Sequence, residues 1–111
     1  MSAPLVADLH LHSHHSDGVL SPSALIELCA SRGVTQAALT DHDTLEGCLE
    51  AHAACARHDL KHVTGVEVSC GWNGQTLHVI GLEFDLEDAA LERHLADIIR
   101  FAVADPCLLN V

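Results

Sequence analysis

Leu9 and Leu11 alternate with His10 and His12 directly after the apolar run Pro4-Leu5-Val6-Ala7. That period of two predicts a strand, on which residues two apart share a face. His10 and His12 therefore converge on one point. Downstream, Ser21-Pro22 reads as a helix start, Ser as N-cap and Pro at the first helical position. Leu25, Leu28, Cys29 and Arg32 follow at helical spacing, and Gly33 supplies a stop. Val34 to Thr40 is short and mostly apolar, which suits a strand buried on both faces. It runs into Asp41-His42-Asp43-Thr44.

Asp43 with Glu46 three positions on predicts a capping box. A second helix over about Leu45 to His58 then sets Leu45, Cys48, Leu49, His52 and Cys55 on one stripe. Val63 to Val68 reads as a third strand, Gly71-Trp72-Asn73-Gly74 as a turn, and Thr76 to Leu82 as a fourth strand. A third helix from near Asp88 places Leu91, Leu95, Ile98, Ile99 and Ala102 on one face, and Pro106 should end it. This order predicts right-handed βα units on a largely parallel sheet. In such folds chemistry gathers at the carboxyl ends of the strands. His10 and His12, Asp41 and His42, and Glu67 all fall at predicted strand ends.

Composition narrows the classes. The chain has 111 residues and is 49% apolar, enough for one modest core and too apolar for a disordered segment. No apolar run reaches the roughly eighteen residues of a membrane span, and no leader pattern is visible. A cytoplasmic protein with no membrane partner is the expectation. The five cysteines include no C-x-x-C pair, against both a disulfide framework and a zinc ribbon. They read as small buried hydrophobes, with Cys48 and Cys55 on one helix face. A formal charge of −11 disfavours duplex DNA and anionic membranes. A small phosphorylated substrate remains open, because bound cations invert the electrostatics of an acidic pocket.

Imidazole nitrogen with carboxylate oxygen is a donor set for Zn, Mn and Fe(II). Such ions acidify water and clamp phosphoryl oxygens, and Glu67 is suited to bridge two of them. Each motif taken singly has a plain structural reading. The H-x-H pair can face solvent, Asp41-His42-Asp43 can serve as a turn and N-cap, and Glu67 and His78 can be exposed strand residues. His14 and His15 read as surface or substrate-facing, and His52, His58, His62 and His94 as solvated. Trp72 reads as a cap over the core or a pocket rim.

His10-Leu11-His12 with Ser16-Asp17-Gly18, Thr40-Asp41-His42-Asp43-Thr44, Gly65-Val66-Glu67-Val68-Ser69 and Leu77-His78-Val79-Ile80-Gly81 together resemble the successive motifs of the polymerase and histidinol phosphatase (PHP) superfamily. The T-D-H-D-T form is closest to its TrpH/YciV-like branch of metal-dependent phosphoesterases. The resemblance implies an α/β fold, the N-terminal portion of a distorted (β/α)7 PHP barrel. It implies up to three divalent ions, manganese first, with iron or zinc as alternatives. His10 and His12 would hold one ion, Glu67 would bridge to a second held also by His78, and Asp17 and His42 would hold a third. Catalysis would run through the ions on His10, His12 and Glu67. The implied substrates are AMP, nucleotide 3',5'-bisphosphates, or the 5' ends of short RNA.

Residues 1–100 correspond to the N-terminal part of the PHP domain, and 101–111 diverge from the family's continuation. A (β/α)8 barrel runs about 250 residues, so a truncated or frameshifted product is expected. Its uncovered sheet edge and apolar surface would favour self-association and leave an isolated monomer marginal, holding metal weakly and with little or no activity. The alternatives are a truncated non-catalytic metal-binding fragment, or a histidinol-phosphatase or polymerase-type PHP domain.

Overall fold

The structure, a computed structural model, describes residues 4–104, with side chains described through Asp97. The elements run β1 (Ala7–Leu11), α1 (Pro22–Ser31), β2 (Gln36–Leu39), α2 (Cys48–Arg57), β3 (Lys61–His62), β4 (Gly65–Trp72), β5 (Gln75–Leu82) and α3 (Ala89–Ala104). β1, β2 and β3 form a parallel sheet in that order, and β4 pairs antiparallel with β5. The sheet is thus parallel only in its first half. β3 is an element the hydrophobic pattern did not predict.

α1 begins as its sequence dictates. Ser21 Oγ accepts from Ala24 N–H at 3.1 Å, with Pro22 just inside the helix. α2 departs from expectation. It starts at Cys48 with Gly47 as N-cap, and no side chain caps it. Asp43 turns instead to Ser69 (below), so the predicted capping box does not form. The buried stripe of α2 is Cys48, Ala51, Ala54 and Cys55, while Leu49 and His52 are exposed. The helix is rotated from the predicted face because its small residues, rather than its leucine, allow close approach to α1.

The core lies between these helices and the first sheet: Ile26 and Cys29 from α1, Ala37 and Leu39 from β2, Ala51, Ala54 and Cys55 from α2, and Leu60. Burying a Leu or Ile side chain stabilises by about 1.5–3 kcal/mol, so Ile26 and Leu39 dominate this small core. β2 is buried on both faces, as its apolar run predicts. Burial pushes the Cys55 thiol up to about 11, with Cys29 adding to the effect. Cys29, Cys48 and Cys55 are therefore inert packing groups; Cys107 lies outside the described residues.

Gly65 lets the second half of the chain reach the first. A Cβ there would stand 2.7 Å from Thr40 Cγ2 and 2.8 Å from the Leu39 carbonyl oxygen. Only a glycine admits β4 this close to the end of β2. The approach is locked when Glu67 N–H donates to Asp41 O and Asp43 N–H donates to Glu67 O, both at 3.0 Å.

The hairpin runs farther than expected. β4 continues through Gly71 and Trp72, and Asn73-Gly74 alone forms the turn, at φ 51° and 73°. Two positive φ values are the type I′ geometry that suits a two-residue hairpin loop. Trp72 is 63% exposed at the tip, so it caps neither core nor pocket. α3 follows Asp88, whose Oδ1 accepts from Leu91 N–H at 2.9 Å, and Leu95 is buried. The rest of its predicted stripe, Ile98, Ile99 and Ala102, has no described side chains, and Pro106 lies outside the described residues.

Candidate metal centre

The end of β1 is tied to the end of β2 by Thr40. Its hydroxyl accepts from Leu11 N–H at 3.1 Å and donates to Leu11 O at 3.2 Å. β1 is not a plain alternating strand. Asp8 pairs with Ala37 and Leu11 with Leu39, so one extra residue bulges within the histidine motif. His10 lies in the bulge and His12 just beyond the strand, yet both rings reach one carboxylate.

That carboxylate is Glu67, buried on β4. His10 Nε2 lies 2.7 Å and His12 Nε2 3.0 Å from its Oε1, and His42 Nδ1 3.3 Å and His78 Nδ1 3.4 Å from its Oε2. Asp17 closes the other side, with Oδ1 2.6 Å from His12 Nδ1 and Oδ2 3.2 Å from His42 Nε2. All six residues singled out from the sequence therefore stand together. They fall into three overlapping donor groups: His10, His12 and Glu67; His12, Asp17 and His42; and His42, Glu67 and His78.

Burial pushes the Glu67 carboxyl up, but hydrogen bonds from His10 and His12 and the charge of His42 outweigh it, holding the group below its ordinary value. The balance is the same at Asp17, where burial is outweighed by the His12 hydrogen bond and the charges of His12 and His42.

The donor set fits divalent ions. A carboxylate only accepts hydrogen bonds, so every ring nitrogen facing one must carry a proton or a cation in its place. His12 and His42 each face carboxylates with both nitrogens. Donors held about 2.1 Å from one metal stand roughly 3 Å apart, which is the spacing around Glu67. Among the described residues no Lys or Arg is paired with these carboxylates. Positive charge at the site must come from protons or bound ions.

The other histidines separate from the cluster. His14 is exposed, and His15 Nδ1 lies 3.5 Å from Glu46 Oε2. His52, His58 and His94 are exposed, as expected. His62 is not solvated: it is half-buried, with Nδ1 3.2 Å from His52 Nδ1 and a buried Nε2 that has no hydrogen-bond partner among the described residues.

Sequence reasoning missed a layer beneath the donors. Asp41 is buried, its Oδ1 accepting from Ser13 N–H at 2.6 Å and Ser16 Oγ at 2.7 Å, its Oδ2 from Ser13 Oγ at 2.6 Å. Asp43, at φ 56°, is also buried, and accepts from Ser69 N–H at 2.7 Å and Ser69 Oγ at 2.6 Å. The available signal was positional: carboxylates at the end of a fully buried strand need internal donors. Gly18 completes the loop, since a Cβ there would overlap the His12 carbonyl.

Known proteins resemble this chain over most of its length. Residues 8–99 match the PHP domain family. The chain is 47% identical over 78 residues to a 5'-3' exoribonuclease of Haemophilus influenzae, covering 70% of this chain and 28% of that protein. It is 45% identical over 91 residues to a 3',5'-nucleoside bisphosphate phosphatase of Chromobacterium violaceum, covering 82% of this chain and 32% of that one. A solved structure of a Chromobacterium violaceum amidohydrolase with bound sulfate and no metal superposes with a TM-score of 0.80 at 44% identity, covering 83% of this chain and 32% of that one. A solved Bifidobacterium adolescentis protein, assigned as a metal-dependent phosphoesterase, gives 0.79 at 26% identity, covering 86% and 34%. This chain thus spans about a third of the length of these proteins. From the ordered motifs, the shared fold and this match, the chain belongs to the PHP domain family.

Proposed function

We propose that the six-residue cluster is a metal centre for hydrolysis of phosphate esters of small nucleotides, such as AMP or a nucleotide 3',5'-bisphosphate, or at the 5' end of short RNA. The observation that carries this is one buried carboxylate, Glu67, within 3.4 Å of four imidazoles brought by three separate segments. His10 and His12 with Glu67 would hold one ion, Glu67 and His78 with His42 a second, and Asp17 and His42 with His12 a third. Manganese suits this mixed nitrogen and oxygen set, and iron or zinc are the alternatives. Such ions, when bound, supply positive charge to phosphate oxygens and bring the pKa of water towards neutrality.

The chain's own part is to orient the imidazoles and to gather four of them on one carboxylate. His14 and His15, on the loop that also carries Asp17, would meet a phosphate or base as it approaches. A net charge of −11 supports a small anion bound through ions over a duplex. The reading carries a cytoplasmic location, where nucleotides are abundant. No helix among the described residues is long and apolar enough to cross a membrane.

The test is to express the chain, count bound Mn, Fe and Zn, and assay phosphate release from AMP and a nucleotide 3',5'-bisphosphate and nucleotide release from a short RNA. Turnover lost in His10→Ala and Glu67→Ala supports the reading. Metal bound without turnover favours the second reading, a non-catalytic metal-binding chain.

A further inference from the structure

We propose that Asp41 and Asp43 are positioning residues that divide the centre between them: Asp41 sets the loop carrying Asp17, and Asp43 sets the strand carrying Glu67. The proposal rests on the metal-centre reading above and adds residues that hold the donors without being donors.

The first ground is that neither aspartate belongs to any of the three donor groups, although both flank His42 directly. The second is burial. Asp41 is 2% and Asp43 7% exposed, and an ionised carboxylate is kept in such a place only by full hydrogen bonding. Each finds it in serine. A backbone N–H and a hydroxyl of the same residue grip both oxygens in each case, Ser13 at Asp41 and Ser69 at Asp43.

The third ground is where those serines lie. Ser13 follows His12 immediately, and Ser16, also held by Asp41, precedes Asp17. Ser13 O in turn accepts from Ser16 N–H at 3.1 Å and Gly18 N–H at 2.9 Å, so the loop is closed around the grip. Ser69 lies two residues after Glu67, on the same face of β4, and directly opposite His78 in the β4–β5 register. Fixing Ser69 therefore fixes Glu67 and His78 together. Asp43 also holds a left-handed backbone, a conformation that persists only when its surroundings over-determine it.

These grips have separate targets, so the proposal makes a segregated prediction that a general stabilising role does not. In the metal-free full chain, histidine side-chain ¹H–¹⁵N spectra of Asp41→Asn should shift the His12 signals and spare His78. Asp43→Asn should shift His78, and both should move His42, which lies between them. On titration with Co(II), followed by its visible absorption, each variant should weaken binding about tenfold, the low end for residues that support metal ligands. Ser31→Ala, whose hydroxyl caps only the Leu28 carbonyl on the surface, should change neither readout.

If an Asp→Asn chain does not fold by far-UV circular dichroism, Ser13→Ala and Ser69→Ala replace it. They remove one hydroxyl, keep the charge, and should give the same segregated pattern at smaller amplitude. Folded variants with unmoved His12 and His78 signals overturn the proposal, as does an Asp41→Asn pattern that moves His78 as strongly as His12. Wild-type chain that takes up no Co(II) refutes the metal-centre reading, and the metal-free spectra still decide the positioning.

Discussion

His12 Nε2 stands 3.0 Å from Glu67 Oε1, although 55 positions separate the two residues. The contact joins the end of β1 to the middle of β4, across the boundary between the two sheets. Whatever lies between these atoms therefore holds the two halves of the chain in register.

Removing the shared carboxylate should dismantle the centre. Glu67→Gln keeps the side-chain shape but loses the charge that His10, His12, His42 and His78 all face. Mn(II) affinity by isothermal titration calorimetry is expected to fall at least about tenfold, the range for residues that merely support a ligand. Unchanged affinity would exclude Glu67 as a ligand.

Gly18→Ala should act on the loop rather than on a donor. Its Cβ would overlap the His12 carbonyl, a backbone atom that cannot yield without moving the loop. Overpacking of this kind costs about 1–3 kcal/mol, to be read from urea unfolding of the metal-free chain. A variant as stable as the parent would show that the loop is looser than described.

His62 gives the fold an acid-sensitive element away from the centre. Burial, aided by the charge of His52, lowers its pKa below the ordinary imidazole value of about 6.5. The unfolded chain then takes up this proton before the folded one does. The contribution is complete above about pH 6.5, and is lost as pH falls from there through the lowered folded value. His62→Leu should flatten that part of the pH–Tm curve measured without metal. An equally steep curve in the variant would assign the acid sensitivity elsewhere.

The outer face of the hairpin should promote self-association. Cys70 faces Leu77 and Val68 faces Val79 across the strands, and Trp72 extends the same apolar face. Leu77 and Val79 are about half exposed, at 43% and 52%. Light scattering coupled to size exclusion should show mass rising with concentration, and the Leu77→Lys, Val79→Lys double variant should stay monomeric. A wild-type chain of constant monomer mass contradicts this.

How far the sequence foretold these features depended on the range of the interaction. Local chemistry read well: Ser21 caps α1 and β2 is buried on both faces, while the set of six site positions took the family resemblance, which alone supplied Asp17 and His78. The non-local features did not. The exposed Leu49 shows that a leucine on a helix loses its place in the core when alanines allow closer packing. The absent Asp43–Glu46 capping box has the same origin. Asp43 had two sets of donors within reach, and the pair on Ser69 came from a strand that local pattern cannot place. His62 looked solvated because β3, which carries it, is too short to leave a periodic signal. The bulge in β1 is invisible for a similar reason, since only its register against β2 defines it.

Among the described residues, the backbone hydrogen bonds between the two sheets are those of Asp41, Asp43 and Glu67. A backbone seam so narrow should let each sheet open as its own cooperative unit, read as a separate opening free energy in amide hydrogen exchange. Ions seated across it would act as rivets: their binding free energy becomes folding free energy, merging two local openings into one global transition.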